Sequence, residues 1–231
     1  MSRKVSILSL LVLAGLVGFG QEARSQVVVV NTRNGVVWND FVNWAVLSPL
    51  EGGVPNPDTF STNGGLSATA SQPGLTFGHA IEGGSWGGNF ALNDHLLWTN
   101  RSTGQVTITF ASLISGGGAQ FQSFNGGPFT AFIDALDAGN NVLASFSKAG
   151  SSNSNEDNSA IFLGVQSNLV NIHALRFNVH NGGGSDNAFA INRLDLRTTA
   201  LGVPEPGVTA FTFALGVPVL LGLRKRMRNE G

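Results

Sequence analysis

Gly83-Gly84-Ser85-Trp86-Gly87 has the G-x-S-x-G spacing of a nucleophile elbow. In that motif a sharp strand-to-helix turn lifts a serine hydroxyl toward a base and an oxyanion hole. The motif needs a helix after it, whereas Asn89-Phe90-Ala91-Leu92 reads as a loop entering a strand. Glycine makes up 31 of the 231 residues, so composition alone produces such matches. The stretch is read as a flexible Gly loop carrying a tryptophan. His79, His95, His173 and His180 form neither H-E-x-x-H nor H-x-H. His173 and His180 would also point to opposite faces of an extended strand, so no zinc site is expected. The absence of cysteine excludes a thiol nucleophile, a thiolate metal site and a disulfide scaffold.

Two loops gather the oxygen groups that calcium prefers, Asn153-Ser-Asn-Glu-Asp-Asn158 and Ser185-Asp186-Asn187. Neither has EF-hand spacing, and such residues also form turns on their own account. Glu156, Asp157 and Asp186 are the candidate ligands if calcium is bound, and no other cofactor is expected. Trp38, Trp44, Trp86 and Trp98 are the candidate stacking surfaces for sugar rings. Trp38 and Trp44 would share a face of one continuous strand, which suits a core as well as a site. Trp86, flanked by Gly84, Gly87 and Gly88, is expected to be exposed and is the candidate glycan-binding residue.

The elements that must hold these groups are strands. Val106, Ile108 and Phe110 alternate with Gln105, Thr107 and Thr109. Residues 129–136 and 142–146 form two further runs, joined by Asp137-Ala-Gly-Asn-Asn141, whose residues tolerate positive φ and predict a hairpin. Residues 161–165, 172–179 and 188–196 supply more strands. Breaks are predicted at Gly116-Gly-Gly118, Asn125-Gly-Gly-Pro128, 151–158 and Asn181-Gly-Gly-Gly184. No internal stretch has helical period with caps, so an all-β antiparallel β-sandwich is expected.

The two ends have a different character. Arg3 and Lys4 precede an apolar run from Val5 to Gly20, and Ala23-Arg24-Ser25 offers small residues before a cut. Residues 1–25 therefore read as a secretory signal peptide, cleaved after Ser25 by signal peptidase. At the other end residues 207–223 are uncharged and are followed by Arg224, Lys225, Arg226 and Arg228. That run sits at the lower limit for a transmembrane helix, with the basic cluster as its cytoplasmic anchor. Between the ends, residues 26–202 hold six basic and eleven acidic side chains, a net charge of −5 hidden by the whole-chain value of −1. An acidic domain does not favour nucleic acid as a partner.

Val203-Pro204-Glu205-Pro206, the apolar span and the Arg-rich tail stand in the order of the PEP-CTERM sorting signal of bacterial exported proteins, which residues 203–231 resemble. The resemblance implies that Pro204, Glu205 and Pro206 are recognised by a membrane-embedded exosortase, the span being a temporary membrane anchor. The segments 127–137, 140–146 and 187–196 are also similar to the jelly-roll, galactose-binding-like sandwich that many such proteins carry. In calcium-bearing relatives the closing strand often reads Ile-Asp-Asn, where this chain has Ile191-Asn192-Arg193. The resemblance implies a cell-surface or extracellular-matrix protein, structural or adhesive, associated with exopolysaccharide. A carbohydrate-binding module with a defined sugar site is the alternative, and a polysaccharide hydrolase or lyase stands behind both. No paired carboxylates or triad support catalysis, so an enzyme is not expected.

Overall fold

A computed structural model describes residues 25–50 and 53–199. The segment expected to be a signal peptide, as far as Arg24 and including Ala23, and the expected sorting segment with Pro204, Glu205, Pro206, Arg224, Lys225, Arg226 and Arg228 lie outside the described residues. Among the described residues, no helix is long and apolar enough to cross a membrane.

In chain order the strands are β1 (Val27–Val30), β2 (Asp40–Val42), β3 (Gly53–Val54), β4 (Asp58–Ser61), β5 (Ser67–Ser71), β6 (Phe77–Ile81), β7 (His95–Trp98) and β8 (Val106–Ile114). They continue with β9 (Gly116–Ser123), β10 (Gly127–Leu136), β11 (Val142–Ser152), β12 (Ile161–Ser167), β13 (Ile172–Asn181), β14 (Phe189–Ile191) and β15 (Leu194–Arg197). Two sheets form. The first runs β1-β12-β9-β14-β7-β6-β3, with β15 joining β9 to β2, and the second runs β11-β10-β13-β8-β5-β4. Every pairing between these strands is antiparallel. The chain is an all-β sandwich.

Alternation puts one face of each strand into the core. In β8 the residues Val106, Ile108 and Phe110 are buried while Thr107 and Thr109 are half-buried. Phe121 of the first sheet meets Phe177 of the second at 5.6 Å between ring centroids, and Phe189 stacks beside it at 6.4 Å. Each buried phenylalanine of this kind contributes about 1.5–3 kcal/mol relative to exposure. The hairpin expected at residues 137–141 joins β10 to β11, with Asn140 at φ 62°. Asp137 Oδ1 accepts the Gly139 and Asn141 amides across it.

Three details differ from expectation. Gly116-Gly-Gly118 is not a break but the start of β9, buried at every position. A Cβ on Gly118 would stand 2.6 Å from the Gly164 Cα, so β9 and β12 approach where neither has a side chain. Residues 188–196 are two strands, not one, because the chain kinks at Asn192-Arg193 and β9 pairs with β14 along one half and β15 along the other. Trp38 precedes β2 and Trp44 opens a 3-10 turn after it, so they do not share a strand.

The outer face of the first sheet is partly roofed. A second apolar cluster of Ala80, Trp86, Phe90, Leu96, Ala160 and Ala190 lies there. Residues 82–94 and 153–160 form the roof, tied together by Glu156 N–H to Gly88 O at 2.7 Å and Ala160 N–H to Asn89 O at 3.1 Å.

Candidate functional site

The Gly loop after β6 closes on itself. Gly83 N–H donates to Trp86 O at 2.8 Å, and Trp86 N–H donates to Ile81 O at 3.0 Å. Ser85 Oγ accepts the Ile81 N–H at 3.2 Å. No helix follows, so the G-x-S-x-G match is a turn whose hydroxyl serves its own backbone. This tight return swings Trp86 onto the sheet, where only 7% of it is exposed, correcting the expectation of an exposed residue. Its Nε1 donates to Gln122 Oε1 at 3.2 Å. The same oxygen accepts the Asn89 N–H, while Gln122 Nε2 donates to Asn153 O, so one glutamine on β9 fixes both roofing segments.

Trp86 is the floor of an aromatic depression rather than its surface. Trp98 meets it edge-on at 5.5 Å and Phe124 at 5.8 Å. Trp98 and Phe124 lie 5.3 Å apart with only 31° between their planes. Phe124 is 43% exposed and Trp98 half-buried, so these two rings are what a ligand would meet. A glycine positions Trp98: it pairs across β6 and β7 with Gly78, where a Cβ would fall 1.4 Å from its Nε1. The indole therefore lies across the space a side chain would fill. The depression has a volume of about 240 Å³ and is also lined by Gly53, Ser85 and Asn100. Asn100 is held at φ 48° with its amide on Thr76 Oγ1 at 2.9 Å. Exposed rings with a few fixed polar groups suit the apolar face and hydroxyl rim of a sugar.

The candidate calcium ligands are not brought together. Asp186 pairs with His180 at 3.0 Å and accepts from Asn178 at 2.8 Å on the β13–β14 connection. Asp157 is turned onto Ser159, which holds its carboxyl below the usual range. Among the described residues, no three His, Asp or Glu side chains meet as a metal-ligand set. Glu156, at φ 53°, instead neighbours Glu82. Glu82 is fully buried; its Oε1 takes the Gly88 N–H and its Oε2 has no hydrogen-bond partner. Burial pushes its carboxyl up to about 6, against the pull of the Gly88 amide and with help from the charges of Glu156 and Asp94. His79 and His95 contact each other at 2.9 Å, and burial followed by the neighbouring ring lowers the proton affinity of His79.

A polar hub at the β14–β15 kink had no signal in the spacing of the chain. Arg33 Nε donates to the buried Asp195 at 2.6 Å, Nη1 to Gln120 Oε1 at 3.1 Å, and Nη2 to Asn192 Oδ1 at 2.9 Å. Arg193 takes the other Asp195 oxygen at 2.7 Å. Asn192 donates to Asp94 and Gln120. The one residue that could have flagged the hub is Asp195, an acid between two leucines of an apolar strand.

Fold and depression together define an all-β sandwich with an aromatic patch beside a roofed sheet face. No family model matches the chain, and no curated protein matches it. Among solved structures it is similar to the crystal structure of a DUF4465 family protein from Bacteroides caccae. The identity is 11% and the TM-score 0.36, over 73% of this chain and 98% of that one.

Proposed function

We propose that this chain is an exported, adhesive protein of the cell surface or extracellular matrix, whose sandwich grips polysaccharide through the aromatic depression. The observation that carries the reading is the pairing of Trp98 with the exposed Phe124 over Trp86. The sandwich is read as jelly-roll-like, of the galactose-binding-like kind. Its chain crosses between sheets at successive strands, with β8 and β10 in one and β9 in the other, which supports that reading. Export follows from the signal-like residues 1–25. The motif Pro204-Glu205-Pro206, the apolar run and the basic residues 224–228 support exosortase processing from a membrane-anchored precursor. The role is binding rather than catalysis.

Titration calorimetry of the purified protein with neutral oligosaccharides from its host's exopolysaccharide tests the reading. Saturable binding is expected, with Trp98→Ala weakening it by about tenfold or more, the equivalent of ~1.4 kcal/mol. Binding that survives Trp98→Ala and Phe124→Ala unchanged would remove the depression as the site.

A further inference from the structure

Away from the aromatic depression, a second cavity of about 430 Å³ opens where the edges of the two sheets meet, lined by Arg33, Lys148, Asn31, Asn34, Asn158 and Ser159. Lys148 projects from β11 and donates to Asn31 O at 2.7 Å and to Phe162 O at 3.0 Å. Both partners are neutral carbonyls. Among the described residues no carboxylate forms an ion pair with Lys148, and none lines the cavity. Half-burial without a counter-charge holds its ammonium below the ordinary lysine value. Arg33 lies over the Phe162 ring, its Cζ 5.6 Å from the centroid.

The donor count leaves capacity for a ligand. An ammonium has three N–H donors and a guanidinium five. Lys148 spends two on protein carbonyls, and Arg33 spends four on Asp195, Gln120, Asn192 and the Arg193 carbonyl. Asp195 is shared between Arg33 and Arg193, so it does not cancel both guanidinium charges. Asp157, the nearest acid in sequence to the lining residues, has its carboxylate on the Ser159 amide at 3.1 Å. The cavity is thus a cationic site in an acidic domain, walled by amides and hydroxyls of the kind that hydrogen-bond sugar hydroxyls.

We propose that the cavity between Arg33 and Lys148 binds the anionic group, carboxylate or sulfate, of an acidic sugar unit in a polysaccharide. The glycan reading above supplies only the class of polymer; the charge preference comes from the cavity. An anion between the two side chains would take up their remaining N–H donors and give Lys148 the counter-charge it lacks. Binding would therefore weaken as the pH rises through the lysine's titration.

The test is calorimetry of the purified protein with hexagalacturonate, a sulfated galactan oligosaccharide and a neutral galactan oligosaccharide of equal length. Lys148→Met removes the charge. Asn34→Asp adds an opposing charge at an exposed rim position while leaving the Lys148 hydrogen bonds in place. At least one acidic probe is expected to bind at low salt, roughly tenfold or more weaker in each variant and in high salt. The probe that binds names the anionic group. Equal affinity of the acidic probes for wild type and both variants, or no acidic binding, overturns the proposal. So does the same Lys148 dependence with the neutral oligosaccharide or with poly-glutamate. Trp98→Ala separates the two sites: it should weaken neutral binding by about the same tenfold or more and leave acidic binding intact, so either reading can fail alone.

Discussion

Replacing Glu82 with glutamine keeps the side chain's shape and its acceptor for the Gly88 N–H, and removes its charge. In the fold the carboxyl is fully buried, with Oε2 unpartnered and two acidic neighbours, and its pKa is raised from 4.5 to about 6. A raised carboxyl pKa means that the folded state resists ionisation. The stability associated with the protonated form is complete below the unfolded value and is lost as the pH rises through the folded one. A shift of about 1.5 units corresponds to about 2 kcal/mol at 1.36 kcal/mol per unit. Glu82→Gln does not titrate, so any fixed cost of the amide is the same at pH 4 and at pH 8. The variant should therefore gain about 2 kcal/mol on wild type between those two pH values. For a chain of this size that is a relative rise of roughly 4–8 °C in melting temperature. Paired thermal or urea unfolding across the range measures it, and most other titrating groups cancel in the difference. A difference that stays flat with pH, or that moves against the variant as the pH rises, would refute the reasoning.

Gly78→Ala would place a methyl on the Trp98 indole; it should cost about 1–3 kcal/mol, shift the tryptophan fluorescence and weaken neutral glycan binding. Unchanged fluorescence would mean that the ring does not lie on Gly78. Gly118→Ala meets the Gly164 Cα and the Leu163 carbonyl of the β12 backbone as well as the Phe162 ring, and backbone cannot swing aside, so its loss in urea midpoint should exceed that of Gly78→Ala. Arg33→Met strips one of two partners from buried Asp195, which keeps Arg193, and should cost about 1–3 kcal/mol. Adding Asp195→Asn should recover part of that loss, which a double-mutant cycle would measure.

Much of the sandwich was legible because period-two alternation reports burial directly, as in Val106–Phe110. Turn chemistry likewise placed the β10–β11 hairpin at Asp137–Asn141. β9 was hidden for a tertiary reason. Three glycines read as a break along the chain, yet here they admit the backbones of β12 and β15, a demand set by residues far away. Trp86 was misjudged because glycine neighbours suggest mobility, whereas the turn is short enough to press the ring onto β9. The calcium candidates paired acids by loop type, while the fold pairs Glu156 with Glu82. Arg33 and Asp195 are separated by 162 positions, beyond any spacing rule.

The bare contact between Gly118 and Gly164 also bears on how such chains can be traced. Every substitution of glycine adds at least a carbon, and at 2.6 Å from a neighbouring Cα there is no room for one. Drift can rewrite the alternating core residues of β8 or β13 among Val, Ile, Leu and Phe, but at Gly118 it has no neutral step, and at Gly164 a Cβ would stand 3.1 Å from the Gly118 Cα with little slack. The pattern Gly117-Gly118-Ala119-Gln120-Phe121, with Leu163-Gly164-Val165 some forty residues on, is thus a fingerprint that should outlast the rest of the chain. A search built on that spacing would look for kinship where overall identity has already faded.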